Sequence, residues 1–137
     1  MSVRSFIDTN VLVYADDRDS PEKQARAIEL FEQARSGHWG VVSTQVLQEY
    51  FVAVTRKLGV PPEVARRKVE ILGRLDLVRI DLPDVIAAID LHRLHGIGFW
   101  DALIVRAAKE AGASILLTED LQHGRRLDGI EVVNPFL

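Results

Sequence analysis

The chain has no cysteine. Disulfide frameworks, thiolate metal sites and cysteine nucleophiles are therefore all excluded. It also has no long apolar run: stretches such as Val11 to Ala15 and Val85 to Ile89 are far too short to span a bilayer. Met1-Ser2-Val3-Arg4 lacks the long apolar segment of a signal peptide, so the expected location is the cytoplasm. Low-complexity tracts, internal repeats and linker-like segments are missing too. The 137 residues, 47% of them hydrophobic, read as one domain over 1–137 with enough chain for a real core. Nor is there a strong excess of either charge. The formal net charge is −3, from 17 Lys and Arg against 20 Asp and Glu. If four acids served as cation ligands, 17 basic residues would face 16 acidic ones, a balance of +1. Net charge therefore does not exclude a substrate with a phosphate backbone.

What is present is a chain of short apolar strands separated by helices. Val3 to Ile7 reads as a strand, and Asn10 to Ala15 as the first turn of a helix. Ser20-Pro21-Glu22 combines a capping hydroxyl, proline at the first helical position and an acid near the positive dipole end. That helix ends at Ser36-Gly37, and Trp39 to Val42 follows as a buried strand. Ser43-Thr44 caps a helix to Lys57 whose apolar face is Val46, Leu47, Tyr50, Phe51, Val54 and Leu58. Pro61-Pro62-Glu63 starts another, ending near Leu75, and Leu77 to Ile80 fits a third strand. Pro83 opens a helix to about His95, Gly96-Ile97-Gly98 forms a flexible joint, and the helix from Phe99 stops at Gly112. Ser114 to Leu117 and Ile130 to Val133 are the last two strands. Strands alternating with helices imply a parallel sheet covered on both faces: a three-layer α/β/α sandwich of about five strands.

In such a sheet the carboxyl ends of the strands share one edge, where ligands collect. Asp8 and Asp120 each follow a strand. Asp101 lies in the first turn of its helix, and Glu49 in the second turn of a helix whose preceding strand leaves at the same edge. At 100° per residue Glu49 falls beside the apolar face, neither at its centre nor opposite it. Four carboxylates from distant parts of the chain thus converge on one cleft, an oxygen-rich nest suited to Mg²⁺ or Mn²⁺. Each also has a plain structural role. Asp8 or Asn10 caps a helix, Asp101 favours a helix start, Asp120 is a loop acid and Glu49 a solvated helix residue. Their joint placement is what favours a site.

At these residues the chain resembles a known family. Phe6-Ile7-Asp8-Thr9-Asn10-Val11-Leu12 looks like the opening motif of PIN domains, and Gly98-Phe99-Trp100-Asp101-Ala102-Leu103-Ile104 like their third. Ser43-Thr44 through Glu49 resembles the second, and Leu117-Thr118-Glu119-Asp120 the fourth. Size and motif order resemble the VapC-type toxins of prokaryotic toxin–antitoxin pairs. The resemblance implies a PIN-like fold and a metal-dependent endoribonuclease. Asp8, Glu49, Asp101 and Asp120 would be its catalytic and metal-binding acids, with Thr9, Asn10 and Thr118 in support. It also implies Mg²⁺ or Mn²⁺ as cofactor, an RNA substrate, a cognate antitoxin and a homodimer. This chain departs from many relatives just after the fourth acid, where Leu121-Gln122-His123-Gly124 replaces an acid and a Phe. That leaves Glu119 as a competitor to Asp120.

The chemistry is consistent with the resemblance. Cleaving a phosphodiester needs an activated water and neutralisation of charge on the phosphoryl and leaving oxygens, and divalent metals held by carboxylates supply both. His38, His92, His95 and His123 read as surface or structural residues, since no zinc motif accompanies them. Arg66, Arg67, Lys68, Arg125 and Arg126 are candidates to track phosphates, against the plainer reading of solvated faces. Two other classes remain. One is a catalytically idle PIN-like module that binds RNA or protein. The other is a phosphoaspartate switch, for which Asp8 lacks a neighbouring acid and Asp81-Leu82-Pro83 is a poor phosphoacceptor site. A dehalogenase-type phosphatase would need Asp where Asn10 stands.

Overall fold

The computed structural model describes residues 3–137. Six strands form one sheet in the order β3-β2-β1-β4-β6-β5. They are β1 (Ser5–Ile7), β2 (Gly40–Ser43), β3 (Asp76–Val78), β4 (Ile115–Leu117), β5 (Arg126–Leu127) and β6 (Ile130–Val133). The first four and β6 run parallel, as the alternation of strands and helices requires. The edge strand β5 is antiparallel to β6 and was not expected from the sequence. Asp128 and Gly129, at φ 52° and 82°, form the tight turn between them. Asp-Gly is the dipeptide that such left-handed hairpin turns favour.

Six helices cover the sheet: α1 (Thr9–Tyr14), α2 (Pro21–Ser36), α3 (Thr44–Arg56), α4 (Pro62–Leu72), α5 (Leu82–His95) and α6 (Phe99–Glu110). The path steps from β1 outward to β2 and β3, then returns across β1 to β4. Right-handed crossovers therefore put α1 to α4 on one face and α5 with α6 on the other. The contacts agree: α1 packs on α2 and α3, α3 on α4, and α5 on α6. The result is the α/β/α sandwich.

Phe6, Ile7, Val41, Val42, Leu116, Leu117 and Val132 are all essentially inaccessible, because these strands are covered on both faces. On one side α2 presses so closely on β2 that a Cβ on Gly40 would lie 2.7 Å from the Ala34 Cβ. Several boundaries differ from the sequence reading. β1 begins at Ser5, since Val3 is already half exposed. α4 stops at Leu72, where Gly73 caps it, and β3 shifts back to Asp76–Val78. Gly96-Ile97-Gly98, expected as a flexible joint, forms a turn between α5 and α6. Gly96 caps α5 in the left-handed conformation, Ile97 is buried, and the Ile97 carbonyl lies 2.5 Å from His92 Nδ1.

Candidate active site

Register puts the first acid in place. Ile7 pairs with Leu117, and the Asp8 N–H donates to the Leu117 carbonyl at 3.0 Å, so Asp8 and Thr118 leave adjacent strands side by side. The Thr118 hydroxyl donates to Asp8 Oδ2 at 2.9 Å, and the Thr9 N–H to Asp8 Oδ1 at 2.7 Å. Asp8 thus does cap α1, as the plainer reading held. It is nevertheless 5% exposed, with no ion-pair partner among the described residues. Burial, opposed by those two hydrogen bonds and aided by the charges of Asp120 and Glu49, pushes its carboxyl from 3.8 up to about 7.

The second acid arrives on α3, which starts where Ser43 Oγ accepts the Val46 N–H. Glu49 accepts from the Thr9 hydroxyl at 2.8 Å and from Gln45 Nε2 at 3.2 Å. Asp101 sits in the first turn of α6; burial, then the charges of Asp120 and Glu49, raise its carboxyl. The fourth position is where two neighbours diverge. Asp120 Oδ2 accepts from Asn10 Nδ2 at 3.0 Å, and the Asp120 N–H donates to Thr118 Oγ1. Glu119 turns away. It accepts from the Tyr14 hydroxyl at 2.6 Å and pairs with Lys23 at 2.5 Å. Burial works against its charged form, but the Lys23 and Tyr14 bonds outweigh it and hold the carboxyl below its usual range.

Asn10 stitches the edge together. Its amide donates to Thr118 Oγ1 and Asp120 Oδ2, and its carbonyl accepts the Glu119 N–H. These bonds join six of the seven residues singled out from the sequence at one edge, and the seventh, Asp101, is near enough to feel the charges of Asp120 and Glu49. Among the described residues none of Asp8, Glu49, Asp101 and Asp120 has an ion-pair partner. The oxygens of Asp8, Glu49 and Asp120 are instead tied to hydroxyl and amide groups. Among the described residues no three acids or histidines already stand together at metal-ligand spacing. The donor set is nonetheless all oxygen, anionic and partly desolvated, which fits a hard divalent cation and would suit a softer metal poorly. The histidines lie elsewhere: His92 faces Ile97, and His123 accepts the Asn134 N–H.

Three supporting groups escaped the sequence reading. Gln45 bridges Glu49 and the Trp100 carbonyl, while Tyr14 and Lys23 hold Glu119 aside. Only Gln45 carried a signal, its i,i+4 spacing to Glu49. Of the basic candidates, Lys68 pairs with Asp16, Arg66 with Glu70, and Arg125 donates to the His95 carbonyl. Arg67 and Arg126 are exposed.

The sequence pattern of the PIN domain matches residues 5–128. The chain belongs to the PIN domain family. Its fold is shared by VapC20 of Mycobacterium tuberculosis, described as a Sarcin-Ricin loop cleaving toxin. The TM-score is 0.68 at 17% identity, over 85% of this chain and 91% of that one. A DNA-bound VapBC from Salmonella typhimurium matches at TM-score 0.66 and 21% identity, over 95% and 96%. FitAB bound to an IR36 DNA fragment matches at 0.69 and 19%, over 97% and 96%. No curated protein matches the chain significantly by sequence. At these identities the solved structures speak to the fold of the PIN domain and no further.

Proposed function

We propose that this PIN domain is a metal-dependent endoribonuclease, the toxin of a toxin–antitoxin pair. The observation that carries the reading is the uncompensated charge: four carboxylates at one strand edge, none of them in an ion pair among the described residues. Unpaired charge is costly where it is buried, as at Asp8, and a bound cation would offset it. Asp8, Glu49, Asp101 and Asp120 would hold Mg²⁺ or Mn²⁺, which when bound supplies charge neutralisation and a water acidic enough to attack a phosphodiester.

The chain's own residues have the remaining roles. Thr118 and the Thr9 N–H fix the Asp8 carboxylate, and the Thr9 hydroxyl and Gln45 orient Glu49. Asn10 keeps Asp120 over the edge, and Lys23 with Tyr14 keeps Glu119 out of it. RNA as substrate is supported by the VapC20 comparison, and an antitoxin partner by the VapBC and FitAB complexes. A homodimer in the cytoplasm completes the reading; among the described residues no helix is long and apolar enough to cross a membrane. The phosphoaspartate alternative is disfavoured because Asp81 follows the edge strand β3, which β2 separates from the strand that carries Asp8.

The test is incubation of the purified protein with structured, loop-containing RNAs in Mg²⁺ and in chelator. Cleavage in Mg²⁺ that stops in chelator is the expected result. RNA cleaved equally in both, or bound without being cleaved in Mg²⁺, overturns the reading; the second outcome would leave a binding module.

A further inference from the structure

Beside the acid cluster runs an open cleft of ≈560 Å³, walled on one side by α3 and on the other by Trp100. Gln45, Glu49, Val52 and Arg56 recur at helical spacing, so one stripe of α3 forms its length. From Gln45 to Arg56 that stripe is about 16 Å long at 1.5 Å per residue. Its two ends differ in chemistry. At one end lie Glu49 and Gln45, whose Nε2 donates both to Glu49 and to the Trp100 carbonyl at 3.2 Å. At the other end lie Arg56 and Lys57, both exposed and in no ion pair among the described residues.

The Trp100 side chain is 64% exposed, whereas the chain's other tryptophan, Trp39, is 3% exposed. Packing does not account for an indole left in water. Phe99 touches it edge-on, with the ring centroids 5.1 Å apart. A second detail points to an occupant. The Gln45 side-chain oxygen is buried with no hydrogen-bond partner among the described residues, although Gln45 lines the cleft. Turned toward the cleft, that oxygen would accept from a base amino group or a ribose hydroxyl.

We propose that this cleft is a subsite for single-stranded RNA, stacking one unpaired base on Trp100 while Arg56 and Lys57 take the adjoining phosphates. An exposed aromatic face beside unpaired cations is the way proteins hold splayed-out bases, whose π-faces a duplex hides. The Gln45 bridge joins the subsite to Glu49, so a base seated there places a neighbouring phosphate toward the acid cluster. The inference rests on the ribonuclease reading for its substrate class and adds the surface of this chain on which an unpaired base and its phosphates are held.

Stopped-flow mixing in Mg²⁺ tests it, following tryptophan emission and the anisotropy of labelled RNA before cleavage proceeds. Single-stranded hexanucleotides of A, C or U should quench the wild-type emission, and the same strands in duplex form should not. Trp100→Phe should abolish the quenching yet bind within a fewfold of wild type, since the aromatic face survives. Trp100→Ala should weaken binding about tenfold or more and raise KM for cleavage more than it lowers kcat. Arg56→Ala and Lys57→Ala should each flatten the slope of log affinity against log salt by about 0.7. Absent quenching, equal quenching by duplex, or Trp100→Ala binding like wild type overturns the subsite, even if the protein cleaves RNA. Quenching by single strands with no cleavage at all would support the subsite while overturning the proposed activity.

Discussion

Replacing Asp8 by Asn removes one negative charge from the most buried of the four acids while leaving its shape. Asp8 titrates near 7 in the folded chain against an ordinary 3.8. Each pH unit of that difference is worth about 1.4 kcal/mol, so keeping Asp8 ionised in the metal-free protein costs about 4 kcal/mol at pH 8. The sign follows from the raised value. Between pH 3.8 and about 7 the folded chain holds a proton that the unfolded chain has lost, so stability falls as pH rises through that window. Asn escapes this cost. It still accepts the Thr9 N–H, but its amide meets the Asn10 amide as donor against donor, beside a Thr118 hydroxyl that already accepts from Asn10 and Asp120. Subtracting about 1 kcal/mol for that clash leaves a gain of ~2–3 kcal/mol at pH 8 and none near pH 4. For a domain of this size that is ~6–10 °C in melting temperature. Thermal and urea unfolding of both proteins in EDTA, from pH 4 to 8, measure it. Parallel curves for wild type and Asp8→Asn, or a mutant less stable at pH 8, would refute the reasoning.

Two further outcomes follow from the structure. Asp120→Asn should weaken Mn²⁺ binding, read by calorimetry, about 10- to 100-fold, whereas Glu119→Gln, which faces Lys23 and Tyr14, should leave it within a fewfold; the reverse order would exchange the roles of the two residues. Gly40→Ala should cost about 1–3 kcal/mol in urea unfolding, because its Cβ would meet Ala34 at 2.7 Å; an unchanged midpoint would mean that α2 gives way freely.

The architecture was legible because the strands are short, apolar and separated by capped helices. Ser43 and the Pro21 start of α2 mark helix beginnings that the structure repeats. The β5 strand was not, being two residues long with only Leu127 buried, although Asp128-Gly129 was a turn signal available to be used. The end of α4 was misplaced because Leu75 is buried and continues the apolar pattern past the cap at Gly73. Within the candidate site, spacing brought Asp8, Asp101, Asp120 and Glu49 to one edge. Spacing could not separate Glu119 from Asp120, since adjacent loop residues have no period to tell them apart. Their divergence depends on Lys23 and Tyr14, which reach Glu119 from 96 and 105 residues away in the chain. Nothing in the spacing of Trp100, Arg56 and Lys57 joins them; the fold sets them along one cleft.

The central claim is that the four acids hold a divalent cation. Anomalous diffraction from crystals soaked in Mn²⁺ tests it most directly, because it locates the ion itself while Thr118, Thr9 and Asn10 keep the acids oriented. The account predicts an anomalous peak among Asp8, Asp101 and their neighbours in wild type, lost or much reduced in Asp101→Asn. Density without such a peak at saturating Mn²⁺ would contradict it.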